Sequence, residues 1–222
     1  MDQGYRKGRN PYEGFVRSYG IDSANVEELC DVDADFNAAI SAYREEMNVG
    51  KNNVMNLYMI LKFFFSNISN GNIVEFGSSR SGAAIFLAHV AKNFFPNINV
   101  IGFDLLDDNL DELRAHVASE KLDNLRFVEG RFEETAKKEL EKIGRVSLVH
   151  INCENNTSLA FCYETVKEHL VDGAYIIFDG ALASNCLGAF EAIEEHLIKQ
   201  DNLNAEQNFP HLVFRYPANF AG

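Results

Sequence analysis

The residues best placed to do chemistry cluster around Glu75 and Gly77, in the segment Asn72–Leu87, NIVEFGSSRSGAAIFL. Ile73, Val74 and Phe76 read as the end of a buried strand. Gly77-Ser78-Ser79-Arg80-Ser81-Gly82 is a small polar turn, and Ala83–Ala91 is expected to be a helix packed on a sheet. Strand, tight turn and helix start together form a nucleotide-type binding corner. A glycine in the turn lets the backbone bend sharply and a ligand come close, and the first free N–H groups of the helix point at that ligand. The carboxylate of Glu75 argues against phosphate and suits a cation, such as an α-amino group. No Gly-Lys-Ser/Thr follows, so the phosphate-loop pattern is absent, and Ser79 stands where the dinucleotide fingerprint needs its second glycine. A nicotinamide dehydrogenase is disfavoured on that spacing. The run Asn99–Phe103 is the expected next strand, and Asp104 ends it. An acid at that position in such a sheet can accept hydrogen bonds from both ribose hydroxyls of a nucleoside.

The corner resembles motif I of class I S-adenosyl-methionine-dependent methyltransferases. More narrowly, EFGSSRSGAA is similar to the macrocin O-methyltransferase family, with Glu75, Phe76, Gly77, Arg80, Gly82 and Ala84 matching, Ser81 in place of a glycine and Ala83 in place of a serine. Gly130, Phe132 and Thr135 match that family's Gly-x-Phe-x-x-Thr motif, and His150-Ile151 matches its His-Ile frame. The resemblance covers roughly Asn72 to Tyr216, with the motifs in the right order. It implies S-adenosyl-methionine as cofactor, held by Glu75, Gly77, Ser78, Ser79 and Gly82, with Asp104 on the ribose, the turn Gly130-Arg131-Phe132 at the adenine and Asn152 near the amino-acid moiety or the acceptor. It also implies methylation of a hydroxyl on a small molecule, such as a sugar unit of a natural product or surface glycan.

Two acidic positions of the family pattern have changed: Asn152 replaces the first Asp and Glu154 the second. Gly180 replaces the second acid of the Asp-Asp pair, leaving Asp179. Methyl transfer to a hydroxyl is an in-line displacement that needs alignment and removal of a proton. Relatives that methylate sugars hold a divalent ion on the acid cluster, which lowers the hydroxyl pKa. Here the corresponding set is Asp179, Glu154 and Asn152, a weakened site for Mg²⁺ because a hard dication is held by carboxylate charge. Without metal, Glu154, Asp179 or His150 must be the base, with His211 the next candidate. Two other functions remain open at this level: a metal-independent methyltransferase with a different acceptor atom, and a non-catalytic binding protein of the same fold.

These residues need a frame. Strands are expected at Leu125–Glu129, Val146–Ile151, Ala174–Phe178 and His211–Tyr216, the last antiparallel, alternating with helices at Asp108–Glu120, Ser158–Leu170 and Asn185–Lys199. In the last of these helices, Leu187, Phe190, Ile193 and Leu197 are expected to face inward. Alternating strands and helices imply an α/β, Rossmann-like, doubly wound sheet, mostly parallel and seven-stranded, with an antiparallel strand near the C-terminus. Ahead of it, helices are expected at Ser23–Glu28, at Asp35–Asn48 with Phe36, Ile40, Tyr43 and Met47 at helical spacing, and at Asn52–Phe65 with Val54, Leu57, Leu61 and Phe64 on one side. They make residues 1–70 an arm and helical cap on a core of residues 71–222, either beside the active site or merely covering the sheet.

With 222 residues, 46% hydrophobic and 24% charged, the chain can bury the core of one such domain. A net charge of −13 without a basic cluster argues against nucleic acid and anionic membrane as partners. Cys30, Cys153, Cys162 and Cys186 are scattered with no C-x-x-C pair, which disfavours zinc. Polar first residues and no spanning apolar run point to a cytoplasmic protein with reduced thiols. A homo-oligomer, a dimer, is expected.

Overall fold

A computed structural model of the chain describes residues 33–42, 50–68, 71–77, 82–105 and 110–217. Seven strands form one sheet: β1 (Asn72–Phe76), β2 (Val100–Asp104), β3 (Leu125–Glu129), β4 (Val146–Ile151), β5 (Leu170–Phe178), β6 (Ala205–Gln207) and β7 (Leu212–Arg215). Their order is β3-β2-β1-β4-β5-β7-β6. Strands β1 to β5 pair in parallel, and β7 runs antiparallel to both β5 and β6. Because β1 has β2 on one side and β4 on the other, the chain order reverses there. Beyond the carboxyl ends of β1 and β4 lies the crevice where such sheets bind ligands.

The inner strands read as short apolar runs because both faces are covered. On one face Ile73, Leu148, Ile177 and Val213 pack under α1 (Ala34–Ala42), α2 (Lys51–Met59) and α3 (Gly82–Phe94). On the other, Val74, Phe76, Val149, Ile176, Phe178 and Phe214 pack against α5 (Phe132–Ile143), α6 (Asn156–Val166) and α7 (Leu187–Ala192). Helix α4 (Leu110–Ser119) follows β2. Strand side chains alternate faces. Glu75, His150, Asp179 and His211 are therefore the next positions, at the carboxyl end, on the face that α1–α3 cover. Among the described residues, no helix is long and apolar enough to cross a membrane.

Helix α1 starts at Asp33, whose carboxylate accepts from the backbone N–H groups of Asp35 and Phe36 at 3.1 and 3.0 Å, an N-cap. The same carboxylate accepts from Tyr58 Oη and Lys62 Nζ of the second helix, both at 2.6 Å. Burial pushes the Tyr58 hydroxyl up, and Asp33 adds to it, to about 12. Phe36 meets Tyr58 and Phe86 edge-on, with ring centroids 5.0 and 6.2 Å apart, so α1 is fixed to both α2 and α3.

Several expectations shift. The second helix continues past Met59 as a wide π-type turn, Ile60–Phe64. That extra residue per turn rotates the inner face by one position, so Phe65 is buried and Phe64 is exposed. Strand β5 begins at Leu170, where the sequence predicted a helix end and a turn, because Leu170 already pairs with Val146 before a slip in register. In α7, which continues as a wide helix Ile193–Gln200, Ile193 and Leu197 are buried as expected. Leu187 and Phe190 instead face solvent, with 68% and 41% of their surface exposed, and the small Ala189 and Ala192 take the inner positions. The three-residue β6 has no apolar alternation, and only its pairing with β7 defines it. The expected helix at Ser23–Glu28 and the residues Tyr43 and Met47 lie outside the described residues.

Candidate active site

Glu75 and His150 are register partners on β1 and β4. Both are buried, at 2% and 0% exposure, and His150 Nδ1 lies 2.9 Å from Glu75 Oε1. A carboxylate at neutral pH only accepts, so Nδ1–H donates, and in the neutral ring Nε2 carries the lone pair. Burial alone pulls this imidazole down. The Glu75 hydrogen bond and charge, joined by the Asp179 charge, outweigh it, and the pKa of His150 ends above its ordinary 6.5. Glu75 Oε2 and His150 Nε2 are buried and have no hydrogen-bond partner among the described residues.

Asp179 follows β5 and its N–H donates to Ile151 O at 3.1 Å. Its Oδ1 accepts from Asn53 Nδ2 of α2 at 2.6 Å and lies 3.9 Å from His211 Nε2. His211 precedes β7, one position beyond the Phe178–Leu212 pair, which sets it opposite Asp179. Its ring stands edge-on to His150, with centroids 5.5 Å apart at 88°. Its Nδ1 meets Asn56 Nδ2 at 3.0 Å, and Asn56 Oδ1 accepts from Gln207 Nε2 at 2.8 Å. Burial, with His150 beside it, holds His211 well below 6.5, so the ring is neutral. Among the described residues, the His, Cys, Asp and Glu donors that gather are those of His150, Asp179 and His211, within 4.8 Å of one another.

The expected cofactor residues lie at neighbouring strand ends. Gly77 N–H donates to Phe103 O at 3.1 Å, Asn152 N–H to Phe76 O at 2.9 Å, and Gly130 N–H to Asp104 O at 2.9 Å. Gly77 has φ +79°, and a Cβ there would sit 2.1 Å from Asn152 O, so no other residue type fits without moving the chain. Asp104 Oδ1 accepts from Leu105 N–H at 2.6 Å. Phe132 opens α5 with its ring edge-on to Phe76, centroids 5.5 Å apart. Arg131 is exposed, 3.7 Å from Glu133. Gly82 is buried at the start of α3, while Ser78 and Ser79 lie outside the described residues.

The strand ends thus bring together Glu75, His150 and Asp179, with half-buried Asn152 on the strand end between Gly77 and Asp179. Glu154 is exposed in the loop before α6 and is not part of the gathered donors. Sequence reasoning missed Asn53, Asn56 and Gln207. Asn56 is 1% exposed, and a pair of asparagines three apart on an otherwise apolar helix face was the available signal.

No protein-family model matches the chain, and no curated protein matches it in sequence. Solved structures do. The apo structure of CalS11, a TDP-rhamnose 3'-O-methyltransferase of calicheamicin biosynthesis, is 14% identical with a TM-score of 0.64, over 97% of this chain and 99% of that one. The O-methyltransferase NovP is 16% identical with a TM-score of 0.63, over 76% of this chain and 81% of that one. TomG from Streptomyces achromogenes, an O-methyltransferase of tomaymycin synthesis solved with S-adenosyl-methionine, is 13% identical with a TM-score of 0.62, over 88% and 96%. This chain therefore has the Rossmann-like fold on which these S-adenosyl-methionine-dependent methyltransferases are built.

Proposed function

We propose that the chain is an S-adenosyl-methionine-dependent O-methyltransferase acting on a hydroxyl of a small molecule, and that it works without a bound metal. The observation that carries the reading is Glu75: a buried carboxylate at the switch point, two residues before Gly77, with one oxygen on His150 and the other without a hydrogen-bond partner among the described residues. That second oxygen fits the α-ammonium of the cofactor, and Asp104 at the next strand end fits its ribose. Phe132, at the start of α5 beside Phe76, would offer a ring edge or face to the adenine. When bound, the cofactor supplies a methyl group on a sulfonium. The protein must hold the acceptor oxygen in line with it and take away one proton.

His150 Nε2 is the base in this reading. The hydroxyl proton moves to Nε2 as the oxygen takes the methyl, and the Glu75 carboxylate behind the ring stabilises the imidazolium. Asp179, held by Asn53, orients the hydroxyl from the other side. A hard dication does not fit this donor set. The gathered side chains are two imidazoles and one carboxylate, whereas Mg²⁺ favours oxygen ligands. Glu154 is exposed, and Asn152 and Gly180 remove negative charge from the strand ends.

CalS11 is a TDP-rhamnose 3'-O-methyltransferase and TomG an O-methyltransferase of tomaymycin synthesis, which supports a sugar or other natural-product hydroxyl as the acceptor here. Those two charge-removing replacements also favour a second reading, a binding protein that keeps the cofactor corner and has lost transfer. Calorimetric titration with S-adenosyl-methionine, S-adenosyl-homocysteine and NAD is the first test: binding of the first two and not the third is expected, and binding of NAD alone overturns both readings. A panel of sugar acceptors, with and without chelator, separates them. Transfer that persists in chelator and falls sharply in Asp179→Ala, with cofactor affinity kept, supports the metal-free enzyme. Loss of transfer on chelation refutes it.

A further inference from the structure

We propose that a relay of two amides fixes the proton of His211 on Nε2, so that His211 and His150 form a slot for one hydroxyl oxygen rather than a metal site. The inference rests on the reading above for the identity of that hydroxyl, which we assign to the methyl acceptor. The polarity of the slot follows from hydrogen bonds alone. Gln207 Nε2 lies 2.9 Å from the Phe209 carbonyl oxygen. A backbone carbonyl can only accept, so the Gln207 atom facing it is the amide nitrogen. The same nitrogen lies 2.8 Å from Asn56, which must therefore present its oxygen. Asn56 then presents its NH₂ to His211 Nδ1 at 3.0 Å. That nitrogen accepts and carries the lone pair, so the ring's proton is on Nε2. Reversing His211 would require turning both amides and setting the Gln207 oxygen against the Phe209 oxygen.

His150 is fixed in the opposite sense in its neutral form, since Glu75 takes its Nδ1–H and the lone pair is then on Nε2. The two Nε2 atoms are buried without partners among the described residues. A buried polar atom left unpaired is costly. One oxygen that accepts from His211 Nε2–H and donates its own proton to His150 Nε2 satisfies both. A metal ion cannot satisfy both, because it needs a lone pair on each ring and His211 offers a proton. Asn56 and Gln207 are thus positioning residues acting through His211.

The tautomers of the six histidines can be read by nitrogen-15 imidazole spectroscopy on the protein without cofactor, with His211→Gln assigning the signal. In the wild type, the His211 signal is expected to show a bare Nδ1 and a protonated Nε2. Asn56→Asp replaces the amide by a group that only accepts, so the proton moves to Nδ1 and three lone pairs, from His150, His211 and Asp179, come to face one another. That variant is expected to bind Co²⁺, seen by its visible absorption, about 10- to 100-fold more tightly than the wild type, the range in which partners behind a ligand act. Gln207→Leu removes the anchor on an edge strand and is expected to give a mixture of both His211 tautomers. A wild-type His211 protonated on Nδ1, or equal Co²⁺ affinity in wild type and Asn56→Asp, overturns the inference. None of these readouts needs cofactor or transfer, so a failed methyltransferase assay leaves them standing, and their failure leaves the enzyme reading intact.

Discussion

Glu75→Gln tests the centre of the site, because the substitution keeps shape and removes charge. The carboxylate has two tasks on two oxygens: Oε1 accepts from His150 Nδ1 at 2.9 Å, and Oε2 is buried without a partner among the described residues. A glutamine oxygen can still accept from His150, so the ring is not orphaned. What is lost is the charge-assisted bond to the cofactor ammonium, worth about 1.5–3 kcal/mol. At about 1.4 kcal/mol per tenfold, the affinity for S-adenosyl-methionine and S-adenosyl-homocysteine should fall about 10- to 150-fold by calorimetry. Methylthioadenosine, which keeps the nucleoside and lacks the amino acid, should bind wild type and variant alike. The variant should also lose a pH dependence of stability. The folded pKa of His150 is raised, so its contribution is fully present below about 6.5 and is lost as pH rises through the folded value. Urea denaturation from pH 6 to 9 should show that slope in the wild type and a flatter one in Glu75→Gln. If S-adenosyl-methionine binds the variant within about threefold of the wild type, where the bond energy demands at least tenfold, Glu75 does not hold the ammonium.

Four further outcomes follow from the same geometry. If His150 is the base, kcat/KM should rise with pH through an apparent pKa above 6.5, and a limb centred below 6 would point to a carboxylate instead. His211 is depressed, so the stability it contributes is present above about 6.5 and is lost as pH falls towards its folded value. His211→Gln should flatten the acid side of the stability curve, and an unchanged curve counts against a neutral buried ring. Gly77→Ala places a Cβ 2.1 Å from Asn152 O at φ +79°. The left-handed backbone costs about 1–2 kcal/mol and the overlap a further 1–3, so a loss of about 2–5 kcal/mol in urea is expected, and a stability change under about 1 kcal/mol contradicts the packing. Asp33→Ala removes an N-cap and the anchor of Tyr58 and Lys62. It should cost about 2–4 kcal/mol, and a midpoint equal to that of the wild type would show that α1 is held by Phe36 alone.

The sheet was legible because strands covered on both faces become unbroken apolar runs. NIVEF, VSLVHI and AYIIF each lie within an observed strand, and the glycine turn marked where the first one stops. Helix faces were less legible because helical spacing assumes a constant pitch. One π-type turn at Ile60–Phe64 moved the buried phenylalanine from Phe64 to Phe65. In α7, small residues let the helix lie close, so Ala189 went inside and Phe190 out. β6 carries no pattern of its own: a three-residue edge strand is defined by the strand it joins.

The site divides along the same line. Residues named by their place at a strand end, such as Glu75, Asp104 and Asp179, could be found by counting along the chain, since each parallel strand delivers its last residues to the same crevice. Asn56 and Gln207 could not, and His211, although a candidate base, could not be placed beside them. They meet only because β7 runs back along β5, which sets His211 opposite Asp179, and because α2 lies over that face. No local spacing encodes such a register. The consequence reaches the chemistry. From the sequence, the loss of two acids at Asn152 and Gly180 reads as a metal site in decline. With the antiparallel strand in place, the Asp179 carboxylate instead faces two oppositely polarised imidazoles. These can donate to an oxygen and accept its proton, the two things a metal ion would otherwise arrange by polarising that oxygen.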